Sequence, residues 1–102
     1  MKKLLEQKLD AIITLCKMHK VESIALFGSA ANDSMHKESD VDFLVKFSDK
    51  IEILDYADNY FSLLEKLESL IGFNVDLVSV KSLKNPVLID EIERTKISLY
   101  AA

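Results

Sequence analysis

The sequence has little of the residue types that cross-link or interrupt a chain. Its 102 residues include one cysteine, two glycines, one proline and no tryptophan. A single cysteine, Cys16, cannot form an internal disulfide bond, and no Cys/His cluster has the spacing of a zinc site. The composition therefore supports neither an oxidising compartment nor structural zinc, and Cys16 is expected to be a small buried apolar residue.

The chain also lacks a long apolar run and an excess of positive charge. Glu6 and Asp10 interrupt the first apolar segment before it could serve as a signal peptide, and no stretch approaches the roughly 20 apolar residues of a membrane span. Thirteen Lys and Arg against seventeen Asp and Glu give a formal charge of −4, which argues against a general affinity for nucleic acid or anionic membrane. We expect a cytoplasmic protein. A basic partner would suit its negative charge better than nucleic acid or an anionic membrane would.

Apolar residues are abundant, at 49% of the chain against 29% charged residues. This balance and the length predict one globular domain over residues 1–102. Apolar residues recur every three or four positions in 2–18 and 52–71, which predicts two amphipathic helices, the second ended by Gly72. The pattern of the second helix is formed by Ile53, Leu54, Ala57, Tyr60, Phe61, Leu64, Leu67 and either Leu70 or Ile71.

Short apolar segments alternate with these helices. Residues 23–27, 41–47 and 74–80 are predicted to be strands, and 97–101 is a candidate last strand. A proline suited to a first helical turn opens a short predicted helix at 86–94. The order predicts a mixed α/β (α+β) domain with a small mixed sheet of three or four strands and flanking helices.

Two acidic residues, Asp40 and Asp42, open the second predicted strand. Because side chains at positions i and i+2 of a strand point the same way, both carboxylates are expected on the face opposite Val41, Phe43 and Val45. Two like charges this close are costly unless a cation lies between them or one is protonated. Oxygen ligands with no His or Cys nearby favour Mg²⁺ or Mn²⁺.

Asp76, in the third predicted strand, is a third candidate ligand. Alternation groups it with Val78 and Val80, so we expect it to point inward rather than to be a solvated surface charge. If the second and third strands are neighbours, Asp76 completes a cluster of three carboxylates that can hold two divalent ions. The alternative is an ion pair between Asp76 and a lysine such as Lys46.

A Gly-Ser pair ends the first predicted strand. Gly28 lets the backbone turn and approach a ligand closely, and the Ser29 hydroxyl with the amides of a following short helix can donate to phosphate oxygens. Taken alone, such a pair is more often a strand-to-helix turn with a capping serine. The pair supports phosphate binding only in its context. It follows a strand, and after a short polar connection a Ser-Asp-x-Asp segment opens the next strand.

In this order, "GSAA…SDVDFLV" followed by "VDLV", the sequence resembles the minimal nucleotidyltransferase (MNT) domains of the DNA polymerase β-like superfamily, over nearly the whole chain. The resemblance implies a nucleotidyltransferase fold in which Asp40 and Asp42 bind two metal ions. It implies that Asp76 binds the catalytic ion and positions the attacking hydroxyl. It also implies that Gly28 and Ser29 hold the nucleotide triphosphate.

The same resemblance implies a partner and an activity. Such domains are often antitoxins encoded with a HEPN-domain ribonuclease toxin, and some silence that toxin by transferring AMP from ATP to a tyrosine. The family commonly has Arg-Gly or Lys-Gly where this chain has Asn32 and Asp33, which removes a cation beside the phosphates and adds an acid, although Lys37 lies nearby. The alternatives are an antitoxin that masks its partner without catalysis and a regulatory domain that only binds nucleotide. An oligomer with itself or with a partner is compatible with each.

The remaining histidines and aromatic residues receive structural interpretations. His19 at a helix end and His36 in a loop are expected to be exposed. Tyr56, Tyr60 and Phe61 lie at helical spacing, which usually packs aromatic residues against the core or a partner. We assign none of the five a catalytic part.

Overall fold

The computed structural model describes residues 2–28 and 40–102 of the chain. Predictions made for five residues fall outside these ranges and stay predictions: Ser29, Asn32, Asp33, His36 and Lys37.

The described residues form three α-helices, four strands and one 3₁₀ turn. In chain order these are α1 (Lys2–Met18), β1 (Val21–Phe27), β2 (Val41–Phe47), α2 (Ile53–Ile71), β3 (Val75–Ser79), the 3₁₀ turn (Val80–Ser82), α3 (Pro86–Thr95) and β4 (Ile97–Ala101). The predicted α/β class is confirmed, and each predicted element in this part of the chain is present within two residues of its expected bounds. None of the helices described is long and apolar enough to cross a membrane.

The ends of two helices follow from local chemistry. Gly72 adopts the left-handed conformation at φ 75° after α2, and its N–H donates to the Glu68 carbonyl at 2.9 Å. The Asn85 side chain precedes α3 and accepts from the N–H groups of Val87 and Leu88, which leaves Pro86 in the first turn where no donor is needed. Both boundaries are therefore encoded by one or two residues.

The four strands form a mixed sheet in the order β3-β2-β1-β4. Strand β1 is antiparallel to both β2 and β4, whereas β2 and β3 are parallel. Parallel neighbours require a crossover connection, and α2 supplies it. Strands β2 and β3 are thus neighbours, which was the condition for bringing Asp76 to the other acids.

The core lies on one face of this sheet. The β2 side chains Val41, Phe43 and Val45 are fully buried there, in one cluster with residues of α1 and α2. Cys16 of α1 belongs to the same cluster, and burial raises the pKa of its thiol to about 12. The prediction that Cys16 is a buried apolar residue is confirmed.

The buried face of α2 matches the predicted one only in its second half, where Leu67 and Ile71 are buried as expected. Its buried residues are Leu63, Leu67 and Ile71. Ile53, Leu54 and Phe61 were counted in the predicted apolar pattern, yet they are 89%, 85% and 65% exposed. The reason is that α2 carries apolar residues on more than one side, so the spacing fits two stripes, and the sheet covers only one.

His19 is buried rather than exposed, so that prediction was wrong. The residue is only 4% exposed, its Nδ1 donates to the Leu15 carbonyl at 2.7 Å, and its Nε2 lies 2.9 Å from the Ser62 hydroxyl. The packing of α2 against α1 supplies that second partner, which no local pattern around His19 reveals. The imidazole joins the two helices.

Candidate active site

Asp42 and Asp76 lie side by side on adjacent parallel strands. The strand register pairs them directly, between the pairs Val41–Val75 and Phe43–Leu77. Because side chains alternate along a strand, both carboxylates are on the sheet face opposite those buried neighbours. Asp42 is half-buried and Asp76 is exposed.

The expectation that Asp76 points inward was wrong. Val75 and Leu77 are the buried residues of β3, so the residue between them must point away from the core. Val80 lies in the 3₁₀ turn and not in the strand, which removes one of the two residues used to assign the face. Its exposure makes Asp76 more accessible to an incoming molecule than an inward position would.

Asp40 lies one residue before β2 and is exposed. The strand begins at Val41, whose N–H donates to the Asn74 carbonyl at 2.8 Å and so aligns the starts of β2 and β3. Although it is outside the strand, the Asp40 charge acts on Asp42. All three predicted acids are therefore in one electrostatic environment.

The pKa of Asp42 is raised above its ordinary value. Burial is the largest cause, followed by the charges of Asp76 and Asp40 and by a hydrogen bond with Asp76. The like charges of the pair repel each other, and a cation placed between the two carboxylates would relieve that repulsion.

The donor set at this position fits a hard divalent cation. Asp42 and Asp76 offer only carboxylate oxygens, which Mg²⁺ and Mn²⁺ prefer, and their mutual repulsion would be relieved by a positive charge. Within residues 2–28 and 40–102, no group of three His, Cys, Asp or Glu side chains is placed to hold one ion in common. The fit is thus to the Asp42–Asp76 pair, and the three-carboxylate site remains a prediction.

Gly28 lies directly against Asp42. It follows β1 at φ 67°, and its neighbour Phe27 is the β1 residue paired with Asp42. A Cβ at this position would overlap the Asp42 Oδ2 atom and lie 3.3 Å from its Cγ. The absence of a side chain on Gly28 therefore lets the Asp42 carboxylate lie directly against the backbone, and any larger residue would displace that carboxylate.

Tyr60 is a site neighbour to which the sequence argument assigned no part. Its hydroxyl donates to the Leu77 carbonyl, one residue after Asp76. Burial raises the pKa of Tyr60, with smaller contributions from the charges of Asp76 and Tyr56. The sequence signal that could have pointed to Tyr60 is its spacing of four residues from Tyr56 on the helix connecting β2 to β3. In the structure the two rings stack with their centroids 6.5 Å apart.

Lys46 pairs with a different acid from the one suggested by the alternative interpretation of Asp76. Its Nζ lies 3.1 Å from Glu22 Oε2, between strands β2 and β1. Asp76 is on β3, which lies on the other side of β2. An ion pair with Lys46 therefore does not account for Asp76.

Known proteins are similar to this chain in sequence. The family model described as "Polymerase beta, Nucleotidyltransferase" matches residues 10–102. The chain is 43% identical over 75 residues to the Methanocaldococcus jannaschii protein named "Putative protein adenylyltransferase MJ1379", an alignment that covers 74% of this chain and 73% of that protein.

Two solved structures extend the comparison. A toxin–antitoxin crystal structure with AMP-PNP aligns with a TM-score of 0.70 and 28% identity, over 92% of this chain and 73% of that one. The structure of a tri-AMPylated Shewanella oneidensis HEPN toxin in complex with MNT antitoxin aligns with a TM-score of 0.64 and 25% identity, over 95% of this chain and 72% of that one. With the family model matched over residues 10–102 and the paired acids on its sheet, the chain belongs to the polymerase β nucleotidyltransferase family.

Proposed function

We propose that this protein transfers AMP from ATP, in a reaction that depends on Mg²⁺, to a tyrosine hydroxyl of a HEPN-domain ribonuclease toxin and thereby acts as its antitoxin. The observation that carries the proposal is the direct pairing of Asp42 with Asp76, with Gly28 against Asp42. The similar structures that contain AMP-PNP or an AMPylated HEPN toxin support the choice of nucleotide and acceptor.

The positions of the two acids suggest how the substrates are divided between them. Asp42 is on β2, between β1 and β3, with its carboxylate against Gly28, the residue that the family resemblance assigns to the nucleotide triphosphate. Asp76 is exposed on the edge strand β3, where a side chain of another protein can reach it. We therefore assign the nucleotide to the Gly28 side of the pair and the acceptor to the Asp76 side.

In the proposed transfer, the tyrosine oxygen forms a bond to the α-phosphorus of ATP. The bond from that phosphorus to the oxygen bridging the β-phosphate breaks, and pyrophosphate leaves. The hydroxyl proton passes to a carboxylate oxygen of Asp76, which also orients the hydroxyl. Asp40 and Asp42 would hold Mg²⁺ together with Asp76, and the metal, when bound, would neutralise charge on the phosphates.

The test uses the purified chain, Mg²⁺, labelled ATP and the product of the neighbouring gene, which the proposal expects to be a HEPN-domain protein. We expect label on a tyrosine of that protein, located by mass spectrometry. Asp42→Asn keeps the side-chain volume but removes a charge, and it should lower the rate by at least ~10²-fold, as does loss of one electrostatic group from a transition-state site. Unchanged circular dichroism would show that the variant is folded. Absence of label with each of the four nucleoside triphosphates would refute the transfer activity.

A second candidate function is masking of the toxin by binding alone. Asn32 and Asp33, which replace the basic residue and glycine of the family pattern, favour it because they weaken the case for phosphate binding. Cells that express the toxin with the Asp42→Asn protein separate the two functions. Full protection by this variant would favour masking, whereas loss of protection would favour chemistry.

A further inference from the structure

One side of α2 presents apolar side chains that the rest of the described structure leaves uncovered. Ile53, Leu54, Ala57 and Phe61 are all exposed, and their spacing places them on one side of the first half of the helix. We call these four residues the α2 stripe. Single exposed apolar residues are ordinary, but a contiguous set on one helix is typical of an interaction surface.

The α2 stripe borders a groove of about 410 Å³ between α2 and the edge strand β3. The helix side of this groove includes Tyr60 and Phe61, whose rings meet edge to face with centroids 5.2 Å apart. The strand side runs from Leu77 to Ser79 and so begins one residue after Asp76. The groove therefore runs along the edge of β3 at the strand position of Asp76, whose carboxylate is on the opposite face of the sheet but whose charge acts on Tyr60 in the groove.

The edge of β3 is partly closed to strand addition. Exposed strand edges often bind a partner by extending the sheet. Here the Tyr60 hydroxyl already donates to the Leu77 carbonyl at the middle of β3. An occupant of the groove must then bind through side chains, and the aromatic and apolar lining selects an apolar or aromatic one.

The charge around the groove indicates what surrounds that side chain on the partner. The exposed acids Asp58 and Glu65 flank the α2 stripe at helical spacing and form its acidic rim, whereas Asp55 pairs with Lys20 at 3.6 Å. The protein as a whole has a formal charge of −4. Two copies placed face to face would oppose acidic rims, whereas lysine or arginine on the partner would complement them.

We propose that the α2 stripe and its groove form the docking site for the protein acceptor, which inserts an apolar or aromatic side chain beside Phe61 and places Lys or Arg against the acidic rim. Docking there would hold the acceptor hydroxyl at Asp76. The proposal rests on the proposed function only for the identity of the occupant. The docking proposal adds to that function the surface of this protein that would select the acceptor.

The test compares two matched substitutions. Phe61→Glu alters the α2 stripe, and Met18→Glu alters an equally exposed apolar residue at the end of α1, since the two side chains are 65% and 64% exposed. The probe is the same product of the neighbouring gene, and its Kd for this protein is measured by calorimetry without divalent ions. We expect Phe61→Glu to raise the Kd by at least ~10-fold, the low end of interface anchor effects, and Met18→Glu to leave it unchanged.

Kinetics and charge reversal sharpen the test. Phe61→Glu should raise the KM for the protein acceptor and leave the KM for ATP unchanged, because the residue is on the acceptor side. Asp58→Lys should weaken binding more than Asp10→Lys, since both acids are exposed but only Asp58 is on α2. Added salt should weaken binding of the unaltered protein.

The outcomes separate this inference from the proposed function. Binding that Phe61→Glu weakens, without any transfer of label, would support the docking site and refute the transfer. Transfer that Phe61→Glu leaves intact, with an unchanged acceptor KM, would refute the docking site alone. Equal losses from Phe61→Glu and Met18→Glu, no binding by the unaltered protein, or a self-association that only Phe61→Glu abolishes would also overturn it.

Discussion

Strand β2 has one face that packs against the helices and one that carries the candidate active site, and their surroundings differ. On the packed face, Val41, Phe43 and Val45 are fully buried among apolar side chains. On the other, the buried Leu44 lies between Asp42 and Lys46, which are half-buried and face charged groups on the neighbouring strands. Packing alone determines the first face, whereas the second combines one buried apolar residue with two charged ones.

Within the seven residues of β2, one face therefore determines mainly the stability of the fold and the other mainly the chemistry of the site. Loss of volume on the packed face leaves a cavity that the structure must tolerate. Loss of charge on the other face changes what the site can bind while the core keeps its contacts. The comparison fails if substitutions on the two faces have similar effects, so paired substitutions are the way to test it.

The largest expected effect is on the packed face. Phe43→Ala should lower the free energy of unfolding by about 3–5 kcal/mol, because it removes a fully buried ring and leaves a cavity. Lys46→Ala on the other face breaks only a solvent-screened ion pair with Glu22 and should cost much less than Phe43→Ala. Urea unfolding of both variants measures the contrast. Similar losses would show that the two faces are not distinct in this way.

An intermediate effect is expected at the two glycines, which form a matched pair. Gly28 and Gly72 have nearly the same backbone conformation, at φ 67° and 75°. Alanine at either position should cost roughly 1–2 kcal/mol of unfolding free energy, since left-handed backbone disfavours a Cβ. A Cβ on Gly28 would also displace the Asp42 carboxylate, whereas a Cβ on Gly72 meets nothing within 4 Å.

Gly28→Ala should therefore reduce nucleotidyl transfer well beyond what its stability loss explains, and Gly72→Ala should leave it unchanged. Denaturation gives the first quantity, and initial rates with labelled ATP give the second. Equal rates for the two variants would mean that the close contact of the Asp42 carboxylate with Gly28 is not used in the transfer.

The elements could be predicted from local chemistry, whereas the site required the topology. Proline at the start of α3 and glycine after α2 fix boundaries that are visible in the sequence. The contact between Asp42 and Asp76 depends on β2 and β3 being parallel neighbours, and residues 34 positions apart carry no local sign of that. From the sequence, the cluster of Asp76 with the other acids could be stated only on the condition that β2 and β3 are neighbours.

The errors have a common physical cause. The spacing of apolar residues shows which side chains share a face of a helix or strand. It does not show which of those faces the rest of the chain covers. Asp76 was assigned to the core side, although Val75 and Leu77 take that side, and Phe61 was counted in the same apolar pattern as Leu67, although it lies on the uncovered stripe. His19 likewise became buried through Ser62, which is 43 residues away. Tertiary partners decide such positions.

The smallest expected effect is a pH dependence confined to the acidic face. The folded pKa of Asp42 is above its unfolded value, mainly through burial and then through Asp76 and Asp40. The stabilisation from protonated Asp42 is therefore fully present below the unfolded pKa, and it is lost as pH rises through the folded pKa. In the metal-free protein, the unfolding free energy of the wild type minus that of Asp42→Asn should fall over this interval and then level off.

Urea unfolding at a series of pH values, without divalent ions, measures that difference, and circular dichroism provides the signal. The effect should be modest, because Asp42 is half-buried and solvent screens the other two acids. At neutral pH, Mg²⁺ with ATP should raise the stability of the wild type more than that of Asp42→Asn, since ligand binding to the folded state adds to its stability. A difference that stays constant with pH would contradict close contact among these carboxylates, and with it the argument that a cation belongs between Asp42 and Asp76.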